Sequence, residues 1–391
     1  VDIPLWWLLV LPLFFACGWL AARIDIRHVM RESRAVPRSY FQGLNFLLNE
    51  QSDKAVEAFI EAARVDPETL DIHFALGNLF RRRGETDRAI RVHKNLVERD
   101  GLNEDQRLNA LCELGQDYLK AGILDRAESI FLKLRHTARD EEALRHLLDV
   151  YQQEQEWEKA IACARDMPTT TDHLWHTAIA QFYCELAGAA LLRGQTPQAR
   201  EALAQAMAVN RKCVRASLLL GDIELQSGHP QAALAAWLHI EQQDPAYLAL
   251  VGARWGEAWR ACGQPGQDAV LLRGYLERYP TLDLLDAAFD AELKAQGQSA
   301  AYTLVRNELR RNPTLLGLGK LLEARALVVS EEDRDDLEMV KTLVHHHTRR
   351  VARYACRQCG FKARTFPWRC PACGGWETYP PKRTEEFDLT P

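Results

Sequence analysis

The order of apolar and polar positions divides the chain into three stretches of different character. Residues Ile3 to Ala22 form an uncharged apolar run containing Trp6, Trp7, Phe14, Phe15 and Trp19. About twenty residues rising 1.5 Å each cross a hydrocarbon core of about 30 Å, so this run predicts a transmembrane helix. After a basic linker over 23–35, the pattern becomes periodic from 36 to 348. An aromatic or Gly on one helix is followed by a Gly at a turn, then by Ala and a large apolar residue on the next helix. The clearest copies are Leu76-Gly77-Asn-Leu-Phe80, Gly84, Ala89 and Leu114-Gly115-Gln-Asp-Tyr118, Gly122, Ala127, Phe131. A short third stretch, 349–380, is rich in cysteine, glycine and aromatic residues, and a polar tail follows at 381–391.

The signature alanine position recurs at Ala55, Ala89, Ala127, Ala160, Ala199, Ala233, Asp268 and Ala301, at spacings of 34, 38, 33, 39, 34, 35 and 33 residues. That is the tetratricopeptide period of about 34 residues with two longer turns. Pro67, Pro245, Pro280 and Pro313 fall where this repeat ends its second helix, in phase with the alanines. Alanine lets antiparallel helices approach, glycine relieves the turn and aromatics fill the space between successive pairs. A ninth pair is expected over Thr314 to Thr348, where Leu337, Val340, Leu343 and Val344 give a helical apolar face. The predicted fold is therefore an all-α repeat solenoid of about nine helical pairs. Such arrays present grooves that bind peptides or proteins. The first helices of the repeats place Asn78, Arg81, Arg82, Gln116, Lys120, Asp222 and Gln226 at groove-facing positions as candidate partner contacts.

The third stretch carries the clearest chemistry. Cys356-Arg-Gln-Cys359-Gly360 and Cys370-Pro371-Ala-Cys373-Gly374 are paired Cys-x-x-Cys knuckles, each running into glycine. Two such knuckles predict one tetrahedral four-thiolate metal ion with no coordination position left for a substrate. About thirty residues surround it, too few for much of a core, so the metal supplies most of the folding energy. Sulfur ligation of this kind suits zinc and iron alike. Trp368 and Trp376 are expected to pack around the metal. The other cysteines after Cys17, at Cys112, Cys163, Cys184, Cys213 and Cys262, are scattered singly in apolar surroundings and read as reduced core residues, which fits a reducing cytosol.

Charge adds orientation. Only Asp2 precedes the first apolar run, whereas Arg23, Arg27, Arg31, Arg34 and Arg38 follow it, which argues against a cleaved signal and puts the carboxyl-terminal bulk in the cytoplasm. Phe15 beside Cys17 makes a poor lipoprotein site. The chain carries net charge −5, yet Arg349 to Trp376 holds seven basic residues and no acidic one. This local positive patch suits anionic lipid or an acidic protein surface, and nucleic acid is not the expected partner. No nucleophile elbow, phosphate loop or His-Glu-x-x-His motif is present, and none of the residues reads as catalytic. Gly317-Leu-Gly319-Lys320 lacks the flanking residues of a phosphate loop, and His345-His346-His347 reads as a feature of a helix carboxyl terminus.

One span, a repeat array and a terminal knot, in that order, resemble the lipopolysaccharide assembly protein B family. The resemblance runs end to end and is most specific at Gly43-Leu-Asn-Phe-Leu-Leu48, Gly77 to Arg81, Gly84 to Ile90, Phe182-Tyr-Cys-Glu-Leu-Ala187 and the two knuckles. It implies a single-pass protein of the bacterial inner membrane with a periplasmic amino terminus and a rubredoxin-like knot holding iron, zinc being the alternative. It also implies a regulator that promotes degradation of the deacetylase LpxC by the membrane protease FtsH and gathers other lipopolysaccharide synthesis or transport proteins. The basic patch itself adds membrane lipid, lipopolysaccharide among the candidates, as an expected partner, and a homodimer stays open. Two readings from other classes stay open at this point: a redox protein using an iron knot, and a ribbon-type nucleic-acid binder. Only ten residues separate Cys359 from Cys370, much shorter than in electron-carrying rubredoxins.

Overall fold

The computed structural model describes Trp19 and residues 38–49, 51–65, 69–168, 172–329, 331–351 and 354–382. The expected transmembrane run, apart from Trp19, and the tail after 382 lie outside the described residues. Among the described residues, no helix is long and apolar enough to cross a membrane.

The chain forms two compact units, 1–150 and 151–391. The first contains the antiparallel pairs Arg38–Leu48 with Ser52–Val65, Leu70–Arg82 with Thr86–Val97, and Glu104–Lys120 with Leu124–Leu134; the boundary falls within the next helix, Asp140–Glu154. The second begins with Trp157–Arg165 and continues through Asp172–Leu192 with Thr196–Val209 and Val214–Gln226 with Pro230–Leu238. Three further pairs follow: Gly252–Ala261 with Gln267–Arg278, Leu282–Ala295 with Gln298–Arg311, and Leu315–Ala326 with Glu331–Val351. The fold is all-α tetratricopeptide packing, ending in a small knot with one pair of two-residue strands.

Packing follows the sequence pattern closely. Ala55, Ala89, Ala127, Ala160, Ala199, Ala233 and Ala301 are all fully buried, each at the fourth position of its helix. Four residues further on stand Phe59, His93, Phe131 and Trp237, all buried, and sixteen residues before each of these is a glycine of the facing helix. A Cβ on Gly115 would come within 2.7 Å of the Phe131 ring, so the glycine marks where one helix makes room for the ring of the next. In the seventh copy the buried small residue is Ala269 and not Asp268, one position later than the period predicts. Asp268 is half-buried beside Gly256, where a Cβ would meet its carboxylate at 2.8 Å. At the fourth turn the expected glycine is replaced by Gln155, which adopts φ 60°.

Two of the prolines do more than end a helix. Thr281 and Thr314, each following a proline, cap the next helix by accepting from the backbone N–H of Leu284 (3.3 Å) and Gly317 (3.0 Å). Gly317 to Lys320 is accordingly helical, inside Leu315–Ala326. Pro245 instead opens an additional 3-10 segment, Pro245–Leu250, inserted after the short helix Ile240–Gln243. This insertion, which the period alone does not predict, contributes Tyr247 to the surface described next.

Candidate metal centre and its docking surface

The knot is built from two superimposable turns. In the first, Gly360 N–H donates to Cys356 O (2.9 Å) and Cys356 N–H to Phe361 O (2.9 Å); in the second, Gly374 N–H donates to Cys370 O (2.9 Å) and Cys370 N–H to Gly375 O (2.8 Å). Both turns need left-handed backbone at their glycine, φ 74° at Gly360 and 72° at Gly374. Strand Tyr354–Ala355 pairs antiparallel with Lys362–Ala363, Tyr354 opposite Ala363, and closes the first knuckle. The knot's own small apolar core is Cys356, Cys370 and Tyr379, with Tyr354, Ala363 and Phe366 against them.

The four sulfurs converge. Cys356 Sγ and Cys373 Sγ are 3.8 Å apart, Cys359 Sγ and Cys370 Sγ 3.6 Å, and all four lie within 4.8 Å of one another. A tetrahedron with metal–sulfur bonds of about 2.3 Å has edges of about 3.8 Å, so the arrangement fits one four-coordinate ion. Electrostatics point the same way. Burial raises the Cys356 thiol, but Thr378 Oγ1 at 3.2 Å and the amides of Cys359 and Gln358 outweigh it and hold the group down to about 6. Cys370 is also lowered, by the Cys373 amide and Tyr379 hydroxyl against its burial. Cys359 moves the other way: the Phe361 amide lowers it, but burial and hydrogen bonding with Cys356, Cys370 and Cys373 raise it to about 12. Cys356 and Cys370 are thus eased toward the thiolate form while the neighbouring sulfurs oppose ionising Cys359, and a bound cation would make four thiolates compatible.

The knot sits on the second unit through its tryptophans, and they do not pack round the metal as expected. Trp368 stacks on Tyr247 (ring centroids 5.6 Å, planes at 3°), and Phe366 meets the same ring edge-on at 6.0 Å. Trp376 makes edge contacts with Phe182 (5.9 Å) and Trp157 (6.3 Å), and its indole N–H donates to Gln152 Oε1 at 3.0 Å. The Arg215 guanidinium lies within cation–π range of both indoles, 5.8 Å from Trp368 and 6.0 Å from Trp376. It is held there by Glu185 (2.8 Å) and by donating to Gln181 Oε1 (3.1 Å). Gln181 in turn donates through Nε2 to Glu377 Oε1 at 2.5 Å. Burial raises the Glu377 carboxyl above its ordinary range, opposed by Gln181 and Arg215.

Sequence reasoning missed Gln152, Trp157, Gln181, Phe182, Arg215 and Tyr247 as the knot's seat. A usable signal was present in helix Asp172–Leu192, where Gln181 and Glu185 are the only strongly polar residues from Ala178 to Leu192, so apolar residues fall on more than one face and need cover. The candidate groove residues are placed as follows. Arg82, Lys120 and Gln226 are exposed. Arg81 donates to Asn78 Oδ1 (2.7 Å) and pairs with Glu113 (2.5 Å) and with fully buried Asp117 (2.8 Å), which also holds His93. Gln116 donates to Glu142 (3.4 Å), and Asp222, its carboxyl raised by burial, pairs with Arg254 at 3.4 Å. Cys112, Cys163, Cys184 and Cys213 are buried and outside any disulfide, and Cys262 is partly buried.

Stacked helical pairs carrying a terminal four-cysteine knot define a tetratricopeptide-repeat protein with a rubredoxin-type metal domain. Family models agree: the tetratricopeptide repeat matches residues 42–99 and 184–261, and the rubredoxin metal binding domain matches 354–381. Lipopolysaccharide assembly protein B of Escherichia coli (strain K12) is 34% identical over 379 residues, covering 96% of this chain and 97% of that protein. The protein of the same name from Haemophilus influenzae is 29% identical over 395 residues, covering 97% and 98%. The chain belongs to the lipopolysaccharide assembly protein B family.

Proposed function

We propose that this chain is a non-catalytic, membrane-anchored adaptor that regulates lipopolysaccharide assembly. The observation that carries the reading is the knot seated by its tryptophans on the repeat surface, in a chain whose relatives are named for lipopolysaccharide assembly. A closed four-sulfur centre offers no position to a substrate, whereas stacked repeats offer polar first-helix surfaces to proteins. In this reading residues 1–22 span the inner membrane with the amino terminus in the periplasm, 23–35 form a basic linker, and the repeats (36–348) and knot (349–380) work in the cytoplasm. The arginines after the apolar run support that orientation.

The client is the deacetylase LpxC and the effector the membrane protease FtsH, as the family resemblance implies. Asn78, Arg81, Arg82, Gln116 and Lys120 in the first unit, and Asp222 and Gln226 in the second, serve as partner-facing positions. The ion is iron by resemblance, and zinc fits the same sulfurs. Exposed Arg357, Lys362 and Arg364 give the knot a cationic edge toward lipid headgroups or an acidic partner. Trp368 and Trp376, occupied by the repeats, are not offered for stacking on bases, which disfavours the nucleic-acid reading.

The test is the lifetime of LpxC after protein synthesis is blocked, in cells with and without this chain. Depletion is expected to lengthen it clearly, and a version lacking residues 3–22 is expected not to restore it. An unchanged lifetime on depletion, or full restoration by the version without the apolar run, refutes the anchored-adaptor reading.

A further inference from the structure

The first unit brings together a thiol, a carboxylate and an imidazole well apart in sequence from the knot. Cys112, from helix Glu104–Lys120, is buried; Glu142 and His146 come from helix Asp140–Glu154, four residues apart and so one turn apart on one face. One donor atom from each, a thiol sulfur, a carboxylate oxygen and a ring nitrogen, lies within 4.8 Å of the other two. We propose that Cys112, Glu142 and His146 form a second metal site, specific for a zinc-class divalent cation and separate from the knot.

The donor set selects the ion. Thiolate with imidazole and carboxylate is a borderline-soft combination that suits zinc and rejects magnesium and calcium. Three protein ligands from two neighbouring helices leave a fourth position for water. Around zinc, sulfur and nitrogen donors stand roughly 3.5 Å apart, so the cluster closes by side-chain rotation from its present spread.

The surroundings already orient the ligands. Arg139 Nη1 holds one carboxylate oxygen of Glu142 at 2.9 Å. The other oxygen receives a long contact from Gln116 Nε2, 3.4 Å, the same amide lies 3.7 Å from Cys112 Sγ, and the thiol itself hydrogen-bonds with the Glu142 carboxylate, so two of the three donors already meet. The His146 ring is stacked on Phe131 (4.9 Å, 23°), which fixes its plane, and its Nδ1 is buried with no hydrogen-bond partner. A buried polar atom left without a partner is unfavourable in a packed core. Burial lowers the imidazole's proton affinity, which keeps it in the neutral, ligating form at pH 7. The Cys112 thiol, raised to about 12 by burial and by Glu142, stays protonated until a cation replaces the proton. Binding therefore forms one sulfur–metal bond, breaks one S–H bond and releases one proton to solvent per ion. The ion would tie the third repeat to the helix that follows it, adding to the weak polar contact from Gln116 to Glu142.

The experiment is metal content and cobalt spectroscopy on the full chain. After zinc loading and desalting, the wild-type protein is expected to hold two ions per chain, and Cys112→Ser or His146→Gln one. A double variant, Cys359→Ser with Cys373→Ser, isolates the triad from the knot. With Co2+ alone as probe it is expected to show a thiolate-to-cobalt charge-transfer band that disappears when Cys112→Ser is added, and to release one proton per ion taken up. One ion per chain in the wild type, unchanged by Cys112→Ser, overturns the proposal. So does a double variant with intact helical circular dichroism and no cobalt band, even where the single triad variants fail to fold.

Discussion

At the scale of single residues, the same chemistry has opposite consequences depending on what surrounds it. Asp117 is fully buried, yet it is ionically satisfied: Arg81 reaches one oxygen at 2.8 Å and His93 Nδ1 the other at 2.5 Å. His93 occupies the place that Phe59, Phe131 and Trp237 hold in other pairs, so a polar ring is tolerated there only because Asp117 meets it. Removing one member of a buried charge network strands the others, typically at a cost of about 3–5 kcal/mol. Asp117→Ala is therefore expected to destabilise the first unit by about that amount, whereas an exposed change such as Lys120→Ala should stay within about 0.5 kcal/mol. Equilibrium urea unfolding of the two variants measures the difference; equal midpoints would show that the network contributes nothing net.

At the scale of elements, the junction between the knot and the repeats is an aromatic seat with one carboxyl group in it. Because the Glu377 carboxyl is raised when docked, the docked state binds its proton more tightly than the undocked state does. Its contribution to docking is full below the ordinary glutamate range and is lost as pH rises through the raised value. Protease cleavage within the knot, residues 354–382, reports undocking. With metal bound throughout, cleavage of the wild type is expected to speed up as pH rises through that window, and Glu377→Gln is expected to flatten the dependence and slow cleavage at its upper end. Faster cleavage of Glu377→Gln at every pH would instead mean that attraction to Arg215 outweighs desolvation. The knuckles and the repeats were legible in the sequence because their constraints are local: a glycine must follow the second cysteine, and a small residue must recur where helices cross. The seat was not legible, because Gln181 and Glu377, 196 positions apart, meet only after the helices have packed. Nor does a period of about 34 residues reveal Pro245–Leu250, an insertion that supplies a stacking surface for Trp368 and not another turn of the array.

At the scale of the whole molecule, folding energy comes from two independent sources. The repeats bury continuous apolar clusters, such as the one that joins Trp237, Trp255, Leu272 and Phe289, and each pair is supported by its neighbours. The knot has no comparable core: its apolar cluster is built on two candidate metal-ligand cysteines and Tyr379. Its structure is therefore expected to depend on an ion held by the four sulfurs, since such binding contributes roughly 10–16 kcal/mol in small thiolate domains and is there folding energy. Stripping the metal with a chelator should unfold residues 354–382 and release the tryptophan seat while leaving most of the helical signal intact. Trp368 and Trp376 leave Tyr247, Phe182 and Trp157 when this happens, so tryptophan emission should shift to the red in step with metal loss. Cys359→Ser and Cys373→Ser should reproduce that emission change without chelator and, on the adaptor reading, lengthen the lifetime of LpxC. The two readouts separate the possibilities: a shifted emission with normal LpxC turnover makes the docked knot a structural cap alone, whereas loss of helical signal together with the metal shows that the repeats need the knot to fold.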